Sequence, residues 1–350
     1  MSELTRRRLL AATTAGLGSL AFGAGAARAQ SGELVVNTYG GPWETAHRQA
    51  IIADLEQKHG AKVTLVSILA NEIVARTKAA AGGRPPVDIA LTDDGPFLNA
   101  VKEDVFLALP TAQIPNAAKL FPQYKPGNAF GLPVSASVIG IAYNAKKLKV
   151  APTSWADLWN PAYKGRLGFA TPASTLGAVT LLSLAKLKGG DETKIEPGFE
   201  AVKSLLPSTA SIAASPANLQ TLLERGEVDI APMWHVNSLF LKTKGTGVEF
   251  VLPKEGGIFG LAWLSITKGA NAVLAAEYIN RALSPEAQKI LASPGFFFGP
   301  TIEDVAVVPE YQNIIPASPE VMKRLIQADW TKINPVRPEW INRWNREIKV

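Results

Sequence analysis

Glu33-Leu34-Val35-Val36-Asn37-Thr38-Tyr39-Gly40-Gly41-Pro42-Trp43, with the stretch from Thr45 to His59 behind it, decides the fold. Leu34 to Val36 is a short buried strand, Tyr39 to Trp43 a glycine-rich turn, and Ala46, Ala50, Ile51 and Leu55 recur at helical spacing. A second strand at Ala61 to Val66 follows, then a helix from about Asn71 to Ala81 that stops at Gly82-Gly83. Val87-Asp88-Ile89-Ala90-Leu91 is a third strand, running straight into Thr92-Asp93-Asp94-Gly95-Pro96. Strands alternating with helices predict an α/β chain with a doubly wound, mostly parallel sheet. In such sheets ligands bind beyond the carboxyl ends of the strands, where both the Tyr39 turn and Asp93 to Pro96 fall.

The middle of the chain begins the same architecture again. Val138 to Tyr143, Leu167 to Ala170, Val228 to Trp234, Val248 to Pro253 and Leu261 to Ile266 read as strands. Helices are expected from about Leu176 to Lys186, from the Ser215-Pro216-Ala217-Asn218 cap to Arg225, and from Asn271 to Leu283. The 350 residues are 47% hydrophobic and 19% charged, which suits two packed lobes and excludes a disordered chain. Zero cysteines remove thiol nucleophiles, zinc knuckles, iron–sulfur clusters and disulfides together.

The first thirty residues address the chain to a compartment. Arg6-Arg7-Arg8 precedes a weakly apolar stretch from Leu9 to Ala27, and Ala27-Arg28-Ala29 supplies a small-residue cleavage site. This is the layout of a twin-arginine-type export signal over residues 1–29, cleaved near Ala29, and it predicts a periplasmic protein. Removing it takes away four arginines and one glutamate, so the net charge falls from +6 to +3. That is no electrostatic footprint for nucleic acid.

Gly131-Leu132-Pro133-Val134 before a strand ending in Tyr143-Asn144, Trp155-Ala156-Asp157-Leu158-Trp159, and Pro253-Lys254-Glu255-Gly256-Gly257 complete an ordered set with the leader and the strand-Asp-Asp segment. In that order they resemble the periplasmic substrate-binding proteins of ABC importers, near the spermidine/putrescine-binding group, over essentially all of the mature chain. The resemblance implies a two-lobed periplasmic binding protein fold of the type II kind, with two crossing hinge strands and closure on ligand. It places the first lobe at 31–134 plus 260–305, and the second at 135–259 plus the C-terminal helices of 306–350. It implies a small-molecule ligand, an inner-membrane ABC permease as partner, a monomer, no cofactor and no bond chemistry.

Candidate ligand-binding residues follow from the strand ends. Tyr39 and Trp43 offer aromatic faces on the first lobe, and either can equally be structural. Trp234 lies where similar polyamine binders place a stacking tryptophan; its other reading is a core aromatic. An aromatic face over a cation contributes about 0.5 to 2 kcal/mol. Asp93 and Asp94 precede Gly95-Pro96, and the expectation is that one caps while the other faces the cleft. Ser174 and Thr175 suit a carboxylate, phosphonate or hydroxyl group, or simply cap the helix from Leu176. His235 beside Trp234, and Trp263 in the strand after the Glu-Gly-Gly segment, complete the set.

Two departures from the polyamine pattern shape the ligand expectation. Relatives carry acidic residues where this chain has Pro172 to Thr175 and Ala262-Trp263, so spermidine and putrescine are disfavoured. No metal is expected, because ferric-binding relatives need adjacent tyrosines and all six tyrosines here are isolated. No P-loop, Gly-x-Ser-x-Gly or His-Glu-x-x-His motif occurs. The alternatives are a periplasmic enzyme built on Asp93, Asp94 and His235, or a receptor that docks on a membrane sensor.

Overall fold

The computed structural model describes residues 32–80, 83–303 and 305–349; the expected export signal and its cleavage point near Ala29 lie outside them. The first third holds β1 (Glu33–Thr38), α1 (Gly41–His47), a π-helical turn (Arg48–Ile52), α2 (Ala53–His59), β2 (Lys62–Ser67), α3 (Ala70–Ala79), β3 (Ile89–Asp93) and α4 (Asp94–Lys102). The middle holds β4 (Leu132–Asn144), β5 (Leu167–Ala170), α5 (Thr175–Leu187), α6 (Glu196–Leu205), β6 (Thr209–Ala213), α7 (Pro216–Arg225), β7 (Ile230–Trp234), α8 (His235–Thr243) and β8 (Val248–Val251). Then come β9 (Gly257–Ile266), α9 (Ala272–Ala282), α10 (Pro285–Ala292), α11 (Pro319–Met322), β10 (Leu325–Gln327) and α12 (Trp330–Glu347).

The strands join in the order β2-β1-β3-β9-β4-β7-β5-β6, with β8 also on β4 and β10 on β9. Pairs β1–β2, β1–β3, β5–β6 and β5–β7 are parallel, the consequence of helical crossovers between them. β4 and β9 run antiparallel to each other, β9 also to β3 and β4 to β7 and β8, while the short β10 lies parallel to β9; β4 and β9 are the two strands that cross between lobes. Leu132 to Ile139 pairs with β9, and Ile139 to Tyr143 with β7, so the strand changes partner at Ile139.

Both crossing strands are longer than their hydrophobic runs suggest. β4 begins at Leu132 and absorbs Pro133 at a register shift between Pro133 and Ser135, where a missing N–H is tolerated. β9 begins at Gly257, where a Cβ would come within 2.5 Å of the Ile139 carbonyl. What reads as a turn is therefore a close backbone approach inside a strand.

A large core cluster packs in each lobe, with two smaller clusters beside them. Leu34, Val36, Ile51, Ile89, Leu91, Leu264 and Tyr278 gather in the first, and Ile141, Phe169, Leu181, Phe199 and Met233 in the second. α5 is buried on every face from Thr175 to Ala185, as its continuously apolar sequence requires. No helix among the described residues is long and apolar enough to cross a membrane.

Candidate functional site

The exits of β1, β3, β5 and β7 open on one cavity of about 570 Å³ between the lobes. Gly40 and Gly41 follow Tyr39 with φ of 74° and 56°, backbone that residues with a Cβ rarely adopt, and Pro42 lies in the first turn of α1. The turn sets Tyr39 and Trp43 edge-on, ring centres 5.6 Å apart at 87°. Trp43 is fixed from behind by Phe298 at 4.3 Å and His47 at 5.0 Å. Tyr39 donates its hydroxyl hydrogen bond to Asp93 Oδ1 at 2.9 Å.

Asp93 lines the cavity. Burial raises its pKa, while hydrogen bonds from the Thr175 and Tyr39 hydroxyls and the charge of Arg337 pull it back down. The Tyr39 phenol is raised well above its ordinary value, first by burial and then by the Asp93 charge, so it stays a neutral donor. Thr175 comes from the second lobe, so its effect on the Asp93 carboxyl acts across the cleft. Ser174 caps α5, accepting from the Gly177 amide at 3.2 Å and donating to the Thr171 carbonyl at 2.9 Å. Its hydroxyl is thus committed locally, although Ser174 and Thr175 both line the cavity. Trp234 closes the wall from the second lobe, its indole lying over Gly260, where a Cβ would be only 3.0 Å from Cη2.

Asp94, Trp263 and His235 stand outside the cavity wall. Asp94 does not cap α4; its carboxylate reaches β9, accepting from the Leu261 amide at 2.9 Å and from Trp263 Nε1 at 2.8 Å. Burial pushes its pKa up to about 6, against those two hydrogen bonds. Trp263 faces away from the cleft and stacks on Phe97 at 4.4 Å, while its neighbour Ala262 lines the cavity. His235 is fully buried, with Nδ1 accepting from the Val138 amide at 3.1 Å and Nε2 3.0 Å from the Phe297 carbonyl. That pairing selects the neutral tautomer with its proton on Nε2, and burial lowers the pKa to about 4. Of Asp93, Asp94 and His235, only Asp93 lines the cavity.

Other residues complete the walls without having stood out in the sequence. Asn71, in the first turn of α3, donates to the Ala173 carbonyl of the second lobe at 3.2 Å. Asn237 donates to Gln220 Oε1 at 2.7 Å, and Ser137 enters from β4. Single polar residues early in helices carry no distinguishing pattern. Arg337, which stands behind the wall, does carry one, lying between Pro335 and Pro338 inside α12, where interior prolines are costly.

Two α/β lobes joined by paired crossing strands around a shared cavity define a solute receptor of the kind that serves ABC importers. The chain belongs to the bacterial extracellular solute-binding protein family, which it matches over residues 84–317. It is 29% identical over 297 residues to the spermidine/putrescine-binding periplasmic protein of Escherichia coli K12, covering 82% of this chain and 81% of that one. It is 27% identical over 342 residues to the gamma-aminobutyric acid-binding protein of Pseudomonas aeruginosa, covering 93% and 94%. An ABC transporter substrate-binding protein from Bradyrhizobium japonicum superposes with a TM-score of 0.75 at 23% identity, covering 91% of this chain and 99% of that one.

Proposed function

We propose that the protein is a periplasmic receptor for a small, nitrogen-containing solute bearing one ammonium group, which it encloses between its lobes and delivers to an ABC permease. The single observation that carries this reading is the charge of the wall. Asp93 and Glu72 are its ionisable carboxylates, Glu72 is exposed and paired with Arg76, and no lysine or arginine lines the cavity. One inward carboxylate, flanked by Tyr39, Trp43 and Trp234, matches one ammonium. A diamine would bury its second charge against Ala173 or Ala262 with no partner, at a cost of several kcal/mol.

The relatives bracket this choice, since one is a spermidine/putrescine-binding protein and another binds gamma-aminobutyric acid, which carries one ammonium. Ligand contact is proposed for Tyr39, Trp43, Asp93, Thr175 and Trp234, with Ser174 shaping the wall; Asp94, Trp263 and His235 support it from behind. The lobe boundaries at 134/135 and 259/260 belong to the same proposal. Calorimetric titration with gamma-aminobutyric acid, shorter and longer ω-amino acids, putrescine and spermidine tests it. A mono-ammonium solute is expected to bind best, and Asp93→Asn to weaken it by about 2 to 4 kcal/mol. Tightest binding of spermidine or putrescine would sink the reading.

A further inference from the structure

α12 packs against both lobes. Trp340 and Trp344 lie in the second-lobe core, and Arg343 pairs with Glu196 and lies 4.2 Å over the Phe199 ring. At its other end Trp330 packs on Gly95 so closely that a Cβ there would come within 2.3 Å of the indole, and Asn334 donates to the Gly95 carbonyl at 2.8 Å. Gly95 belongs to α4 of the first lobe. Between these anchors sits Arg337, 4% exposed and flanked by Pro335 and Pro338.

The Arg337 guanidinium spends its donors on the cleft walls. Nε donates to the Pro172 carbonyl at 3.1 Å and Nη2 to the Ala173 carbonyl at 3.0 Å, both in the β5–α5 loop of the second lobe. Nη1 donates to Asn71 Oδ1 at 3.4 Å, on α3 of the first lobe, and Asn71 returns a bond to the same Ala173 carbonyl. A planar fork of fixed donors suits such a three-way junction, and a lysine point charge reproduces it incompletely. We infer that Arg337 is a positioning residue that latches the two lobes together, holding the β5–α5 loop on Asn71 so that the walls carrying Thr175 and Asp93 meet. The charge of the same guanidinium also opposes the effect of burial on the Asp93 carboxyl. The inference uses the lobe assignment of the proposed receptor, but not the identity of its ligand.

The test exploits the absence of cysteine in the chain. Gln57→Cys on α2 and Lys164→Cys before β5, both exposed, allow spin labels on opposite lobes. Distances are then measured by electron-electron double resonance without added ligand. In this labelled background the latch predicts a dominant short interlobe distance. Arg337→Met and Asn71→Ala should each shift the open-to-closed ratio by roughly tenfold, the worth of a hydrogen bond to a charged group. Arg337→Lys should retain part of the short population. A merely structural Arg337 would lower the melting temperature and leave the distances alone. Should Arg337→Met fail to fold, Asn71→Ala decides. Unchanged distributions in the variants, short or long, overturn the latch. Because no solute is added, that failure leaves the one-ammonium reading standing, and failure of every amine in titration leaves the latch standing.

Discussion

Trp234 ends β7 with its indole half-buried over Gly260, whereas Trp340 is 4% exposed among the apolar residues of the second lobe. Truncating each to Ala should therefore separate binding from stability. Trp234→Ala is expected to cost about 2 to 4 kcal/mol of binding with little loss of stability. Trp340→Ala should cost about 3 to 5 kcal/mol of stability and leave affinity near the parent's. Titration beside urea denaturation checks both, and parental affinity in Trp234→Ala would show that the cleft is misplaced. The neighbours of the wall residues were the harder reading. Asp94 follows Asp93, His235 follows Trp234 and Trp263 follows Ala262, and in each pair the structure sends the second residue away from the cavity. Asp94 and His235 each open the helix that follows their strand, and within β9 the side chains of Ala262 and Trp263 point to opposite faces, so proximity in sequence is a poor guide to sharing a wall. The residue types were legible, and the face was not.

At the scale of elements, the alternation of strands and helices was legible because its apolar runs carry the right periods, as at Ile89–Asp93 and Thr175–Leu187. The crossing strands were read short because Pro133, Gly257 and Gly260 look like breaks. Each instead meets a partner's backbone or ring, a contact that exists only once the lobes are assembled. The β5–α5 junction is built the same way: a Cβ at Gly177 would lie 2.1 Å from the Thr171 carbonyl. That oxygen is backbone and cannot step aside without moving the loop that carries Ser174 and Thr175. Gly177→Ala should cost about 1 to 3 kcal/mol of stability by overpacking and also weaken ligand binding. Gly127→Ala, which meets nothing within 4 Å, is the matched control. Equal denaturation midpoints for the two variants would contradict this account of the junction.

Across the whole molecule, buried titratable groups set opposing pH dependences. His47 is held neutral at a pKa of about 3 and His235 at about 4, both by burial. Unfolded, each takes up a proton near pH 6.5, so their stabilising contribution is complete above that pH and lost as pH falls toward 4 and 3. Asp94 acts in the other sense. Its folded pKa of about 6 exceeds the ordinary 3.8, so its contribution is complete below about pH 4 and lost as pH rises through 6. Asp93 is shifted in the same direction. Between pH 4 and 6 Asp94 therefore binds a proton in the native state while the histidines bind theirs in the unfolded state, and the slopes offset each other. Asp94→Asn removes one carboxyl from that balance. Relative to the parent it should lose about 2 kcal/mol more on going from pH 7 to pH 4, since each pH unit is worth about 1.4 kcal/mol per proton. Urea denaturation of both proteins across that range measures the difference; parallel curves would mean that Asp94 is not protonated on its hydrogen bonds to β9 within that window.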